Sequence, residues 1–117
     1  MKLLLILLMV ISPLAVADGA TVGADCTISW TPGTTGGPAS TFNIYIGTSA
    51  TNKVKVGNTP ATSIACSALT PPPGAGQNYV DVTGVNVAGE GAHSTTIPFV
   101  VVTSVPGAPG GVTVVPK

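Results

Sequence analysis

Few side chains in this chain are able to act as acids, bases or nucleophiles, and their spacing does not bring them together. His93 is the single histidine and Ser94 follows it directly, but adjacent residues of a strand point to opposite faces, so the two do not form a relay. Asp81 lies inside an alternating segment and Glu90 lies in a Gly-rich turn, which does not favour a carboxylate pair. We therefore predict no catalytic residue and no enzymatic activity, with His93 in a solvated loop.

The residue types that bind metals or phosphates are also too few or wrongly placed. Cys26, Cys66 and His93 supply fewer ligands than a zinc site requires. The glycine turns at 74–76 and 89–91 are followed by neither a helix start nor a lysine that would hold a phosphate. The sequence accordingly predicts no metal site and no cofactor.

The charge balance excludes partners that are recognised through clustered positive charge. The chain has 4 basic residues, all of them lysines, against 4 acidic residues, and its formal net charge is 0. Nucleic acids attract clustered Lys and Arg, and anionic membrane surfaces attract a polybasic patch. We predict neither partner. So low a charge instead suits a surface that associates with other proteins or with copies of itself.

The amino-terminal residues have the pattern of a cleaved signal peptide. Lys2 precedes an apolar run over residues 3–11, and Ala15-Val16-Ala17 provides the small residues that a signal peptidase recognises. The apolar run is shorter than the roughly 20 apolar residues that a membrane-spanning helix needs. We expect residues 1–17 to be removed, which predicts a secreted protein, extracellular or at the cell surface, with no stable membrane span after cleavage. An uncleaved signal anchor is the alternative.

Beyond this segment, short runs of alternating apolar and polar residues predict an all-β protein. The runs are bounded by Pro, Gly and Asn turns and lie at 26–30, 42–46, 53–56, 62–66, 80–84 and 97–103. Six or seven strands of this length predict an antiparallel sandwich. Lys53 and Lys55 are expected to face water and guard a sheet edge. Tyr45 alternates with Ile44 and Ile46, so we expect an exposed aromatic side chain there.

Some of these strands carry motifs of a known family. A tryptophan ends the first alternating strand, within the run Ile28-Ser29-Trp30-Thr31-Pro32. A later strand and its turn have the family's spacing of valines, a small residue, an asparagine and glycines, at Val80, Val82, Gly84, Asn86, Gly89 and Gly91. Over residues 26–103 the chain therefore resembles a fibronectin type III domain. The resemblance implies an antiparallel immunoglobulin-like β-sandwich over residues 18–104, in a module without enzymatic activity.

The chain departs from that family at two positions. Asn78 stands where the family has a tyrosine whose hydroxyl bonds back to the backbone, and Tyr79 follows one place later. The first strand of the family is also missing, because the stretch from Asp18 to Asp25 is short and broken by glycines. We expect a stub there, which would leave the second strand without a neighbour on one side.

The two cysteines are expected to form a disulfide. Cys26 lies four residues before Trp30, and both therefore point to the core face of their strand. The resemblance implies that the strands of Cys26 and Cys66 are neighbours in one sheet. An even cysteine count in a secreted chain favours a disulfide between them, and two buried free thiols are the alternative.

The carboxyl-terminal residues 105–117 have the pattern of a linker followed by a strand. Pro and Gly punctuate residues 106–111, and the β-branched run Val112-Thr113-Val114-Val115 follows. The resemblance places the two termini at opposite ends of the domain. The linker 104–110 extends at most about 25 Å, so this run is better placed to enter a neighbouring copy than its own domain.

Three functions fit this sequence. The first is a structural subunit that forms oligomers or filaments head to tail, donating residues 112–115 to a neighbour. The second is a monomeric extracellular module that binds or spaces other surface proteins or glycans, with Tyr45 as a contact residue. The third is a remnant of a multidomain protein in which the tail has no role.

Overall fold

The computed structural model of the protein describes residues 19–116, so the predicted signal peptide over residues 1–17 lies outside the described residues. The described chain contains a 3-10 turn at Cys66–Ala68 and eight strands. The strands are β1 Ala20–Val22, β2 Thr27–Ser29, β3 Thr41–Ser49, β4 Asn52–Thr59, β5 Ser63–Ala65, β6 Gly76–Asn86, β7 Gly89–Glu90 and β8 Ile97–Val101. The predicted all-β class is confirmed. Within residues 19–116 there is no helix with the length and apolar character needed to cross a bilayer.

The strands form two sheets of unequal size that pack face to face. The larger sheet has the order β1-β8-β6-β3-β4, with β7 added to β6, and the smaller consists of β2 and β5. Ile28 and Trp30 from the β2 side and Ile64 from β5 pack against the buried cluster of the larger sheet. The predicted sandwich is therefore confirmed, but one of its layers is only two short strands wide.

The long central strands β3 and β6 form the middle of the core because their residues alternate in type. Ile44 pairs with Val82 and Ile46 pairs with Val80 across the two strands, and these side chains point towards the smaller sheet. A buried Val or Ile side chain contributes about 1.5 to 3 kcal/mol through the hydrophobic effect. The intervening residues of the same strands point to the outer face of the larger sheet.

The amino-terminal segment forms a strand, although only a short one. β1 runs parallel to β8, with Ala20 opposite Phe99 and Val22 opposite Val101. Gly19, immediately before it, has φ +69°, and a Cβ there would lie 1.8 Å from the carbonyl oxygen of Pro98. The expected stub is thus a three-residue strand, and the chain approaches β8 closely just before it because that position is a glycine.

The smaller sheet is closed by the predicted disulfide, which is confirmed. Cys26 and Cys66 are linked across a sequence separation of 40 residues, with a Cα–Cα distance of 5.2 Å. Both cysteines lie just outside the strands, one before β2 and the other after β5. Within the described chain, β2 pairs with β5 alone, so the other edge of β2 carries no strand.

Asn78, at the position where the tyrosine of the resembled family is missing, bonds to the backbone just upstream. Its side chain is buried, and Nδ2 donates hydrogen bonds to the carbonyl oxygens of Gly74, at 2.8 Å, and Gly76, at 3.1 Å. Tyr79 points the other way along the strand and is half-buried. The corner is therefore tied back to the upstream backbone by an amide instead of a phenol.

The carboxyl-terminal residues 102–116 form no strand in the described chain. Val102 donates its backbone N–H to the carbonyl oxygen of Val22 at 2.9 Å, and this bond marks the last tie to the sandwich. Val112, Val114 and Val115 are 80 %, 90 % and 80 % exposed. A β-branched run with this exposure leaves its apolar surface in water, where it gains nothing from the core.

Candidate functional site

A groove lies along the edge of β2 that has no neighbouring strand. It has a volume of about 340 Å³ and is bounded by β2 and the two residues that follow it, by the middle of β6, and by the chain leading into β8. Its lining consists of Ile28, Ser29, Trp30, Thr31, Val80, Asp81, Val82, Ser94, Thr95 and Ile97. We call this feature the β2 groove. No described residue of β5 lines it, so it lies on the open side of β2.

The floor of the β2 groove is apolar. Ile28, Val80 and Val82 reach it from the inner faces of the two sheets, and Ile97 is 46 % exposed at its rim. The groove therefore offers an added strand two kinds of group to bury, the apolar side chains of its floor and rim and the free backbone groups of the β2 edge. The groove is thus the flank that a longer first strand would have covered.

Trp30 stands where the β2 groove opens into a second, larger cleft. Its ring meets Phe42 edge to face, with ring centroids 5.5 Å apart. The indole Nε1 is buried and has no hydrogen-bond partner among the described residues, which costs about 1 to 3 kcal/mol. The larger cleft has a volume of about 520 Å³ and lies between the loop at 31–39 and the β6–β7 hairpin. The two clefts share Trp30, Thr31, Val82 and Ser94.

Tyr45 lies on the opposite side of the larger sheet, in a cluster of polar side chains. Asn43, Asp81 and Thr83 point to this outer face and are nevertheless buried. They are covered because residues 89–96 fold over them and because Lys53 reaches across from β4. Tyr45 itself is half-buried, so the prediction of an exposed aromatic side chain was wrong, because its ring packs against His93 and its hydroxyl donates to Glu90.

Asp81 is the buried acid of the cluster, and every oxygen of its carboxylate has a partner. Oδ1 lies 2.7 Å from Nδ1 of His93, and Oδ2 lies 3.3 Å from Nζ of Lys53 and 3.5 Å from Oγ1 of Thr96. His93 therefore contacts the sheet, although its side chain is 52 % exposed. Lys53 does not face water as predicted, because it lies over β6 to pair with this carboxylate. Lys55 is exposed, as predicted.

Glu90 organises the other half of the cluster. Its Oε2 accepts hydrogen bonds from Thr83 Oγ1 at 2.5 Å, from the Tyr45 hydroxyl, and from Asn43 Nδ2 at 3.2 Å. These bonds, that of Thr83 first, lower the pKa of Glu90 to about 2. The hydrogen bond to Glu90 raises the pKa of Tyr45 above its ordinary value of 10.0.

The cluster does not form a site for nucleophilic catalysis or for a metal. Ser94 Oγ accepts from the backbone N–H of Val82 at 3.0 Å and donates to the carbonyl of Thr95, so it does not meet the imidazole of His93. Tyr45 and His93 instead lie ring against ring, with centroids 4.7 Å apart. Within residues 19–116 no three His, Cys, Asp or Glu side chains are close enough together to hold a metal ion.

The structure places some of the predicted site residues as expected and others differently. The structure joins Cys26 to Cys66 and leaves Val112, Thr113, Val114 and Val115 in an exposed tail. The lining of the β2 groove was not anticipated residue by residue, although the missing first strand was its signal. The Asp81–His93 contact was missed as well. The even spacing of Asn43, Tyr45, Asp81 and Thr83 on paired strands is the one sequence signal that points to that cluster.

Comparison with known proteins identifies a shared fold. No sequence model of a protein family matches the chain, and no curated protein matches it either. The solution structure of the sixth fibronectin type III domain from human fibronectin type III domain containing protein 3 matches with a TM-score of 0.55 at 20 % identity, covering 75 % of this chain and 82 % of that chain. The solution structure of a fibronectin type III domain derived from human KIAA0970 protein matches with a TM-score of 0.49 at 14 % identity, covering 68 % of this chain and 58 % of that chain.

Proposed function

Given that this chain has the fold of a fibronectin type III domain, a fold typical of binding and structural modules, we propose that it is a secreted assembly subunit. Each copy donates residues 112–115 to the β2 groove of a neighbour and so forms oligomers or filaments head to tail. The observation that supports the proposal is that one chain has both an uncovered apolar groove and an exposed apolar segment. One is the open edge of β2 above an apolar groove, and the other is a tail whose valines are 80 % to 90 % exposed.

The energetics favour addition of a strand over an idle tail. An unpaired strand edge offers backbone groups that a partner strand can satisfy, and strand addition gains affinity from those main-chain bonds. Burying Val112 and Val114 in the groove adds about 25 cal/mol for each Å² of apolar surface removed from water. Because donor and acceptor lie on different surfaces of the same chain, the contact is heterologous and propagates unless it closes into a ring.

The secreted location is part of the proposal. A disulfide is rare in reducing compartments, and the small β2–β5 sheet is held by one. Assembly outside the cell also agrees with the low charge of the mature chain, which keeps three lysines against four acidic residues once residues 1–17 are removed, because little charge then opposes the approach of a second copy. We propose no enzymatic role.

The experiment uses the mature chain from residue 18 onwards and three tail variants. Wild type should form concentration-dependent polymers in size-exclusion chromatography with light scattering, and these should be visible by electron microscopy. V112D and V114D should remain monomeric because each places a charge where the tail must enter an apolar groove. T113D is the matched control, since Thr113 faces away from the groove and should leave polymerisation intact.

The outcomes separate the proposal from its rivals. A wild-type protein that stays monomeric at high concentration contradicts assembly. Equal loss of polymers in T113D and V114D shows that the tail acts through its charge and not through burial of alternate residues. A monomer whose tail amides are protected from hydrogen exchange indicates insertion into its own domain and also contradicts donation to a neighbour.

A second candidate function is that of a monomeric module that binds other surface proteins or glycans. The observation in its favour is the Tyr45–His93 ring pair, which lies on the outer face beside the polar side chains of Asn58 and Glu90. Binding to immobilised glycans or to a cell-surface extract that is lost in Y45A and retained in Y79A would support it. Identical binding by both variants would remove Tyr45 from consideration.

A further inference from the structure

We infer the direction and the register of the donated strand, an inference that rests on the proposed function. The strand enters the β2 groove at its Trp30 end and runs antiparallel to β2. Val112 then lies opposite Trp30 and Val114 opposite Ile28, with Thr113 opposite Ser29 and Val115 opposite Thr27. The occupant is therefore the tail of a second copy of this chain, in one defined alignment.

The backbone of β2 shows which residues offer free hydrogen-bonding groups. Cys66 donates its N–H to the carbonyl of Cys26 at 2.8 Å, and Trp30 donates its N–H to the carbonyl of Thr62 at 3.0 Å. Residues at even positions of this segment therefore turn their backbone groups towards β5. Since these groups alternate between the two edges of a strand, Thr27 and Ser29 turn theirs towards the open edge.

The two ends of the β2 groove differ in access. Beyond the Cys26 end, the turn at Ala24 and Asp25 connects β2 to β1, and β1 is held against β8 as far as the bond between Val102 and Val22. At the Trp30 end the groove continues into the larger cleft of about 520 Å³. A chain that enters from a neighbour therefore enters at Trp30 and proceeds towards Cys26, which is antiparallel to β2.

The alternation of the tail selects the register. With Val112 and Val114 facing the groove, the tail buries two valines, whereas the opposite phase buries the hydroxyl of Thr113 in an apolar floor. When Val112 and Val114 face the groove, Thr113 and Val115 lie opposite Ser29 and Thr27, whose backbone groups are free. Pro116 then lies opposite Cys26, where β2 requires no N–H from its partner. A shift by one residue would place this proline at a bonding position, which a paired strand does not tolerate.

Paired cysteine variants test the direction of the strand. V115C is mixed with T27C under mild oxidation by glutathione, and in a parallel sample V115C is mixed with T31C. Thr27 and Thr31 are both exposed, so neither substitution disturbs the core. The antiparallel register brings residue 115 of one chain opposite residue 27 of the next, within the Cα distance of about 4.4 to 6.8 Å that a disulfide spans. A parallel strand with the same buried valines would bring it opposite residue 31.

We expect the T27C mixture to form at least tenfold more covalent dimer than the T31C mixture, with the 27–115 linkage identified by peptide mass spectrometry. V115C alone, under the same oxidation, gives the background. Preferential linkage to T31C overturns the direction while leaving donation intact. Polymers that form normally but link neither position above background overturn the groove as the acceptor. Absence of polymers in every sample contradicts the proposed function itself, which keeps the two failures distinct.

Discussion

At the scale of single residues, the molecule depends on polar side chains that take unexpected partners. Asn78 holds the start of β6 against the preceding loop because its amide reaches two upstream carbonyls at once. Asp81 and Glu90 each bind several donor groups on the outer face of a sheet, where water ordinarily solvates a carboxylate. These contacts hold the loops that precede and follow β6 in place, and β6 in turn lines the β2 groove.

Replacing Asn78 should destabilise the domain measurably. N78A removes both hydrogen bonds and leaves the carbonyls of Gly74 and Gly76 without them, which should lower the free energy of unfolding by about 1 to 3 kcal/mol. N52A is the matched control, because Asn52 is exposed and should change stability by less than about 0.5 kcal/mol. Urea denaturation monitored by Trp30 fluorescence measures both. Equal stability of the two variants would show that the corner does not need the amide.

The low pKa of Glu90 predicts that part of the folding stability is lost at acidic pH. Its carboxylate has a pKa of about 2 in the folded protein, below the ordinary value of 4.5, so the ionised form is favoured by folding. This contribution is complete above pH 5 or so, and it declines as the pH falls from the ordinary pKa towards that of the folded state. E90Q should be less stable than wild type at neutral pH, and the difference should shrink between pH 5 and about 2. A difference that stays constant with pH in denaturant titrations would contradict this assignment.

At the scale of elements, the smaller sheet is the least self-sufficient part of the fold. β2 and β5 have three residues each, and the longer strands of the other sheet provide most of the buried core. Two such short strands hold few backbone bonds of their own, so the disulfide between Cys26 and Cys66 restricts the unfolded chain in compensation. The open edge that we propose as the acceptor therefore belongs to a sheet that a covalent bond keeps in place.

Removing that bond should weaken the whole domain. For a loop of 40 residues, the double variant C26A/C66A should lower the free energy of unfolding by about 3 to 4 kcal/mol in the chain-entropy account. Wild type treated with dithiothreitol should show the same loss, which separates the effect of the bond from that of the lost sulfur atoms. If reduction leaves the denaturation midpoint unchanged, the disulfide does not stabilise the sandwich.

The sequence predicts an element well when the pattern that marks it lies within the element itself, and poorly when the element depends on residues far along the chain. Alternation within Phe42–Ile46 and Val80–Gly84 identifies β3 and β6, because a strand with one buried face repeats every two residues. β1 escapes this reading since glycines flank it and its pairing with β8 is long-range. The prediction for Lys53 was wrong for a related reason. A lysine on an edge strand ordinarily points to water, but Asp81, on a strand two places away in the sheet, attracts it.

At the scale of the whole molecule, the chain divides into a sandwich that ends at Val101 and a tail with no structure of its own. The tail has an apolar character that a spacer does not need, and the sandwich has an open flank that a self-contained domain would cover. In the proposed assembly, the tail of one molecule covers the open flank of the next. The position of the tail therefore distinguishes the assembly subunit from a monomeric module and from a remnant whose tail has no role.

Hydrogen exchange should locate the tail directly. In dilute monomer, the amides of residues 110–115 should exchange at the rate of an unstructured peptide because they have no partner strand. On assembly, the amides of Thr113 and Val115 should become protected together with those of Thr27 and Ser29, since the inferred register pairs them. The amides of β3 serve as an internal reference that is protected in both states. Protection of the tail without protection of Thr27 and Ser29 would place it elsewhere.

The position of the lysines also determines where trypsin-like proteases can cleave the folded protein. Lys53 and Lys55 both lie within β4, where the backbone is paired with β3, and Lys53 is further shielded by Asp81. Between residues 56 and 116 the sequence contains neither lysine nor arginine, so the exposed tail offers trypsin-like proteases no bond before Lys117. Trypsin should therefore leave both the folded sandwich and its exposed tail uncut for as long as the sheet is intact.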